Sequence, residues 1–193
     1  QKKEVCKMIK NKKIMQEARK SLEGRWKLAV VTYLVFFLIT ISIQSLTFIL
    51  GLLVSGTLYL GISIFLLSFL RKKDANLMQI FEGFPKFDVA LFTYMRRFFR
   101  IFLWTLLFII PGIVASLKYS QTFFIMADNP KMKAKEILAK SMEMMDGYKW
   151  KLFCLYLRFL GWTLLSILTC GIGFIWLLPY MAVSRARFYE DIK

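Results

Sequence analysis

The chain has 193 residues, of which 58% are hydrophobic, and it carries a formal net charge of +16. This length corresponds to one domain and leaves no room for a membrane domain with a separate soluble enzyme. The sequence has no histidine, and Cys6, Cys154 and Cys170 lie far apart, so we expect no metal, no cofactor and no catalytic centre. High apolar content together with basic charge favours an all-α, polytopic membrane protein.

The first 27 residues form a basic segment that contains ten lysine or arginine residues. Residues 7–22 carry Ile14 and Leu22 on an irregular apolar face, which favours an amphipathic helix in the membrane interface. No short apolar core precedes a small-residue cleavage site, so we expect no signal peptide here. Residues 1–27 are therefore predicted to be a cytoplasmic or interfacial segment before a single membrane domain at 28–189.

The stretch 28–70 contains no charged residue. Its length is close to two membrane spans of about 20 residues each. Gly51 and Gly56 supply the turn chemistry near its middle, because glycine tolerates backbone conformations that other residues avoid. The sequence therefore predicts two membrane helices, at 28–50 and 52–70, with a very short turn between them.

A basic and aromatic cluster follows, in which Arg96, Arg97 and Arg100 alternate with phenylalanines. Such a cluster at a span entrance is typical of anchoring to anionic lipid, at about 1 kcal/mol per basic residue near the surface. Nucleic-acid binding is the other interpretation of so many cations, since phosphate contacts dominate that affinity. Membrane topology already explains the positive charge, so we expect no nucleic-acid partner.

Residues 101–127 are apolar except for Lys118, and Pro111 and Gly112 interrupt them. Proline removes a backbone donor and glycine frees the backbone, so a helix break is expected there. This break divides the region into two predicted membrane helices, 90–110 and 112–127.

The last third of the chain begins with an amphipathic stretch at 133–146, which predicts a helix lying in the membrane interface. Residues 152–184 then carry a single charge, Arg158, with Gly171 and Gly173 near their centre. The glycines again predict a break. The membrane helices expected on either side of it are 152–169 and 171–184.

Charge asymmetry predicts the topology. Four basic segments lie before, between and after the three apolar stretches. Segments rich in lysine and arginine stay on the cytoplasmic side. Keeping all four on one side requires an even number of crossings, which gives six short membrane helices in three hairpins, with both termini cytoplasmic in the plasma membrane. The second hairpin is too short for two full spans and either recruits residues 88–100 or stops as a re-entrant pair. A four-span arrangement is the alternative.

An internal repeat supports the hairpins. Trp104-Thr-Leu-Leu precedes Pro111-Gly112, and Trp162-Thr-Leu-Leu precedes Gly171-Ile172. A fainter echo joins Gly24-Arg-Trp-Lys-Leu with Gly147-Tyr-Lys-Trp-Lys-Leu. Repeats of this kind recur in membrane folds built by duplication, and here the repeat is parallel.

Two cations, Lys118 and Arg158, fall within the apolar stretches, whereas all twelve acidic residues lie outside them. The first hypothesis is that they meet a phosphate of a lipid or an anionic substrate, with Tyr119 and Gln121 completing a polar site beside Lys118. The alternative is snorkelling, in which the apolar stem lies along the helix and the charge reaches the interface. An intramembrane carboxylate, which proton-coupled transporters and cation channels use, is not expected.

An ordered series of short motifs runs through the second half of the chain. The motifs are Phe108-Ile-Ile-Pro-Gly-Ile-Val, Lys118-Tyr-Ser, Ala127-Asp-Asn-Pro, Phe159-Leu-Gly-Trp, Gly171-Ile-Gly and Pro179-Tyr. The series resembles the bacterial membrane protein family called domain of unknown function 975, and it is similar in outline to the membrane domain of some glycerophosphodiesterases. The resemblance covers residues 18–189. It implies a multi-helical integral membrane protein, often of Gram-positive bacteria, with no established activity.

Two functions remain open from the sequence. The first is a non-enzymatic membrane factor that acts on or with anionic lipid, which the cations and the interfacial helices favour. The second is a transport facilitator or an accessory subunit with a partner membrane protein, which the glycine and proline breaks and the repeat favour.

Overall fold

The computed structural model describes the backbone of residues 2–46, 48–71, 74–169 and 171–193. Side chains are described for residues 11–42, 51, 54–71, 74–169 and 171–193, so Cys6 and Cys170 lie outside them. These parts of the chain are 85% helical and contain no strand, which confirms the all-α prediction. The α-helices are α1 (Lys2–Leu22), α2 (Trp26–Leu46), α3 (Phe48–Leu70), α4 (Phe87–Leu107), α5 (Ile109–Lys118), α6 (Thr122–Asp128), α7 (Ala134–Met144), α8 (Lys149–Leu168) and α9 (Phe174–Ile192), and a 3₁₀ helix (Leu77–Lys86) lies between α3 and α4.

The chain divides into two compact units. Unit 1 combines Gln1–Val35 with Trp150–Lys193, and unit 2 is Phe36–Lys149. In unit 1, α1 packs against α9, and Ile14 and Leu22 on its apolar face are 3% and 0% exposed. These two residues of the predicted apolar face are therefore covered by protein, and an interfacial position of residues 1–27 stays a prediction.

Helix α3 forms the core of unit 2. It packs against the 3₁₀ helix, α4 and α6, and Tyr59 is the one exposed side chain among residues 54–70. A helix that is apolar on all sides must be buried, in a membrane or in protein. Here neighbouring helices supply much of that burial, and membrane crossing by α3 stays a prediction.

The turn predicted at Gly51 and Gly56 is wrong. Helix α2 ends at Leu46, and α3 runs without interruption from Phe48 to Leu70 through both glycines. A side-chain carbon at Gly56 would lie 2.7 Å from the backbone oxygen of Ala90. Gly56 is thus a close-packing position between α3 and α4 rather than a turn residue.

Helices α4 and α5 form a tight hairpin. Phe108 alone connects them and has extended backbone angles, φ −158° and ψ 147°, so the break lies three residues before Pro111. Pro111 falls in the first turn of α5, where a missing N–H removes no intrahelical hydrogen bond. Gly112 packs directly on α4, since a side-chain carbon there would lie 2.2 Å from Oγ1 of Thr105.

The α8–α9 hairpin of unit 1 closes in a similar way. Gly171 and Gly173 lie between the two helices. A side-chain carbon at Gly173 would lie 2.5 Å from Oγ of Ser166, which is seven residues earlier, as Thr105 is before Gly112. The two tips therefore correspond at an offset of 61 residues, rather than at the offset of 58 that the tryptophan motifs indicate.

The weaker sequence repeat, which begins at Gly24 and at Gly147, also has a structural counterpart. Gly24 and Gly147 have φ of +75° and +74°, and each lies in the turn just before a helix, α2 and α8 respectively. A side-chain carbon at either position would have nothing within 4 Å. Glycine is therefore required at both positions by the left-handed backbone conformation, and not by a lack of space for a side chain.

Among the described residues, two helical stretches are long and apolar enough to cross a membrane, Ile109–Asp128 and Lys149–Leu168. The pair Asn11–Leu22 and Trp26–Ser42, bent by 98°, gives a third if it counts as one span. Val54–Leu70 is a shorter apolar helix. These helices are compatible with a membrane location, and the arrangement of six helices in three hairpins stays a prediction.

Candidate functional site

Two arginines of α4 lie over two aromatic rings at the α5–α6 junction. The guanidinium of Arg97 is 5.5 Å from the centroid of Phe123, and that of Arg100 is 5.7 Å from the centroid of Tyr119. The arginines are three residues apart and the rings four, so each pair occupies one face of its segment. Each contact of this kind contributes about 0.5–2 kcal/mol. We call these four residues the basic–aromatic cluster.

Tyr119 holds the cluster together. Its hydroxyl accepts a hydrogen bond from Nη1 of Arg100 at 3.2 Å and donates one to Sδ of Met142 at 3.3 Å. The ring packs with Ala115 and Leu138 and is only 5% exposed. Tyr119 therefore positions Arg100 and is itself too buried to meet a ligand directly.

Gln121 also faces the protein interior. Its side chain is fully buried, and Nε2 donates a hydrogen bond to Oγ of Ser120 at 3.0 Å. Oε1 has no hydrogen-bond partner among the described residues. Gln121 is thus an internal hydrogen-bond donor, and its part in a polar site beside Lys118 stays a prediction.

Lys118 is the last residue of α5. The chain forms a turn at residues 119–121 before α6 begins, yet Ile109–Asp128 as a whole is long and apolar enough to cross a membrane. The predicted position of Lys118 well inside an apolar membrane stretch therefore stays a prediction. At this position a cation faces the partial negative charge of the helix C-terminus. Its backbone oxygen accepts a hydrogen bond from Oγ of Ser141 at 2.9 Å, which ties the end of α5 to α7.

Asp146, in the turn after α7, has a pKa below its ordinary value because of nearby lysines. A hydrogen bond from Nζ of Lys149, at 2.8 Å, is the main cause that lowers the pKa of this carboxyl, and the charge of Lys149 lowers it further. The charge of Lys118 lowers the pKa of Asp146 by a smaller amount. The charge of Lys118 thus adds to the positive potential at this exposed turn.

The other two cations that the sequence predicts as lipid contacts, Arg96 and Arg158, differ in exposure and in their interactions. Arg96 is exposed one helical turn before Arg100 and has no ion pair or hydrogen bond of its side chain among the described residues. Arg158 belongs to α8, in unit 1, and already takes part in an interaction within the molecule. The predicted contact of Arg158 with a phosphate stays a prediction.

The tip of the α4–α5 hairpin is an exposed apolar surface that the sequence did not predict. Leu106, Leu107, Phe108, Ile109 and Ile110 are between 65% and 75% exposed. The hairpin measures about 12 Å from Arg100 to Phe108 and about 15 Å from Phe108 to Lys118, at 1.5 Å per residue. These lengths are about half of the 30 Å hydrocarbon core of a bilayer. The signal in the sequence was the near-symmetric placement of the two cations around Phe108.

Helix α7 corresponds to the predicted interfacial helix at 133–146. Ile137, Leu138 and Met145 on its apolar face are all 0% exposed, because α4 and α6 pack against it. That face is occupied by unit 2 itself. The position of α7 in the membrane interface stays a prediction.

These features define the class of the protein: an all-helical chain whose apolar helices fit a membrane, with cations at the base of an exposed apolar hairpin. The chain belongs to the family described as protein of unknown function (DUF975), whose model matches residues 91–193. The match includes most of α4 and everything after it, and thus both hairpin tips and the basic–aromatic cluster. No curated protein and no solved structure matches the chain. Across the described residues, no group of three or more cysteine or carboxylate side chains is placed to hold a metal ion.

Proposed function

We propose that this protein is a non-enzymatic integral membrane factor that binds anionic lipid at the cytoplasmic face of the plasma membrane. The observation that carries the proposal is the exposed apolar tip at residues 106–110, whose base is bounded by Arg100 and Lys118. Apolar surface of this kind is unfavourable in water and favourable in hydrocarbon. Cations at its base match the phosphates of the headgroup layer.

The hairpin enters the bilayer to about half its depth. Both arms, measured from the cations to Phe108, are about half of the hydrocarbon thickness. Insertion to this depth leaves Arg96, Arg100 and Lys118 among the headgroups and avoids the high cost of a cation at the bilayer centre. Helical hydrogen bonds then satisfy most backbone groups of the inserted part. The last carbonyls of α4 and the first N–H groups of α5 are the exception, because they have no partner within their own helix.

Arg100 is prepared for phosphate recognition by its contacts. It uses Nη1 on the hydroxyl of Tyr119, and an arginine has further N–H donors on the same planar group. Because the ring of Tyr119 lies against the guanidinium, the side chain loses less freedom on binding than a free arginine would. Arg96, one turn earlier, adds a second cation for the same headgroup layer.

The remaining topology follows from charge. Both termini and the basic loops lie in the cytoplasm, and three hairpins enter the membrane from that side. We expect a cysteine at Phe108, in a variant without Cys6, Cys154 and Cys170, to resist membrane-impermeant maleimide from both sides of the membrane. A cysteine at Lys133 should react from the cytoplasmic side only. Labelling of Phe108→Cys from outside would show that this hairpin spans the membrane and would contradict half-depth insertion.

Lipid preference tests the proposal directly. In reconstituted vesicles, we expect spin-labelled phosphatidylglycerol to associate with the protein more strongly than spin-labelled phosphatidylcholine. The double variant Arg96→Gln, Lys118→Gln should lose this preference, by up to about fivefold for each cation removed. Electron paramagnetic resonance measures the immobilised lipid fraction in each case.

The matched control is Lys131→Gln, Lys135→Gln, which removes the same net charge from exposed positions. It should keep the preference if the hairpin base is the site. An equal loss in both double variants would show that the net charge of the protein, rather than this site, attracts the lipid, and the proposal would have to be abandoned.

A further inference from the structure

Unit 1 contains a cavity whose lining residues take no part in the proposed lipid contact of unit 2. The cavity has a volume of about 550 Å³ and lies between α1, the start of α2, α8 and α9. Ligand sites typically have volumes of about 300–1,000 Å³. The cavity is therefore large enough for a small molecule or for part of a lipid.

The residues that line the cavity extend along the α8–α9 hairpin. Tyr180 lines one end, where its ring packs edge-on against Phe159 with centroids 5.2 Å apart. Gly173 and Ser166 line the other end, beside the hairpin tip. The seven residues from Gly173 to Tyr180 correspond to about 10 Å of helix, so the two ends can meet different parts of one ligand.

The wall near the hairpin tip is apolar and open to the side. Trp162, Leu165 and Trp176 line it and are 56%, 52% and 54% exposed. In a hairpin that enters a membrane, such an opening faces lipid rather than water. A ligand that enters from the bilayer and has an apolar chain fits this wall, because aromatic and aliphatic side chains bury such chains at about 25 cal/mol per Å² of apolar surface.

The end at Tyr180 is cationic, because Arg19 lies one helical turn after Met15, whose backbone oxygen accepts a hydrogen bond from Tyr180. Arg19 lines the cavity, is exposed, and has no ion pair or hydrogen bond of its side chain among the described residues. The hydroxyl of Tyr180 is already used, since it donates to the backbone oxygen of Met15 at 3.1 Å. No carboxylate lines the cavity. The charge at this end thus complements an anion, and a guanidinium binds phosphate oxygens in a bidentate manner.

From these observations we infer that the cavity of unit 1 binds one anionic phospholipid, with its phosphate at Arg19 and one acyl chain along Trp162 and Trp176. The site requires a ligand that is anionic at one end and apolar at the other, which excludes free phosphate and a simple hydrocarbon as its main occupant. The inference rests on the proposed entry of the α8–α9 hairpin into the membrane. It does not rest on the proposed lipid contact of unit 2, because the two sites use different residues.

Tryptophan fluorescence can test this site. In the variant Trp104→Phe, Trp150→Phe, the remaining tryptophans are Trp26, Trp162 and Trp176, and all three line the cavity. Vesicles would contain phosphatidylglycerol or phosphatidylcholine with brominated acyl chains, which quench fluorescence on contact. We expect half-maximal quenching at a mole fraction of phosphatidylglycerol about fivefold lower than that of phosphatidylcholine, as one cation near an anionic lipid provides.

Arg19→Gln in the same background should bring the two mole fractions together, whereas Lys20→Gln, an exposed neighbour that does not line the cavity, should not. Arg19 is exposed, so its replacement should leave the fold intact, which circular dichroism verifies. Equal quenching by both lipids before any change at Arg19, or a preference that survives Arg19→Gln, would overturn the inference. Neither variant alters Arg96 or Lys118, so failure here is separate from failure of the proposed function.

Discussion

Replacing Gly61 by alanine is expected to lower the free energy of unfolding by about 3 kcal/mol or more. A side-chain carbon at Gly61 would lie 1.8 Å from the backbone oxygen of Ile80, in the 3₁₀ helix. Backbone atoms cannot rotate away as the end of a flexible side chain can, so α3 and the 3₁₀ helix would have to separate. Gly83 shows the same contact from the other side, since its side-chain carbon would lie 2.0 Å from the backbone oxygen of Thr57.

The chain supplies a matched control for this change. Gly161 lies inside α8, and a side-chain carbon there would meet nothing within 4 Å. Gly161→Ala should therefore be neutral or stabilising by about 1 kcal/mol through helix propensity. Thermal unfolding in detergent would compare the two variants with the parent. If Gly61→Ala unfolds at the same temperature as Gly161→Ala, the close contact between α3 and the 3₁₀ helix is contradicted.

The close contact at Gly61 is of a kind that hydropathy cannot predict. The charge-free stretch 28–70 predicted two apolar helices, and α2 and α3 occupy it. Hydrophobicity alone cannot distinguish a helix that faces lipid from one that faces protein, because both environments exclude water. The sequence predicts a turn at Gly51 and Gly56 because glycine is a strong turn signal. The close contacts of Gly56 and Gly61 depend on α4 and on the 3₁₀ helix, which come later in the chain.

Only those parts of the candidate site that lie close together in the sequence could be predicted from it. Arg96, Arg97 and Arg100 lie within five residues, and their spacing alone indicates a basic helix face. The pairing of Arg100 with Tyr119 needed the hairpin at Phe108, which was predicted three residues too late. The partners of Tyr119 and the cavity of unit 1 join residues that are far apart in sequence, such as Met15 and Tyr180. No local pattern encodes contacts of that kind.

Replacing Asp191 by asparagine is expected to lower the free energy of unfolding by about 2–3 kcal/mol, because a buried ammonium would lose a carboxylate partner. Lys151 is 3% exposed and forms an ion pair with Asp191. Its Nζ also lies 5.4 Å from the centroid of Phe188, and its backbone oxygen accepts a hydrogen bond from Nδ2 of Asn11 at 2.8 Å. The pair thus joins the start of α8 to the end of α9, beside a contact with α1. Asp191 is 47% exposed, so the loss should be smaller than the about 3–5 kcal/mol of a fully buried pair.

The exposed ion pair between Arg187 and Glu17 is the appropriate comparison, because it also joins α9 to another helix of unit 1. Its side chains are 37% and 34% exposed with N and O 2.8 Å apart, and pairs open to solvent contribute about 0–1 kcal/mol. Glu17→Gln should therefore change the unfolding temperature in detergent much less than Asp191→Asn. The double variant Lys151→Met, Asp191→Asn should recover most of the loss, since it removes the buried charge along with its partner. If the double variant were as unstable as Asp191→Asn alone, desolvation of Lys151 could not be the cause, and the loss would lie in the packing of α9.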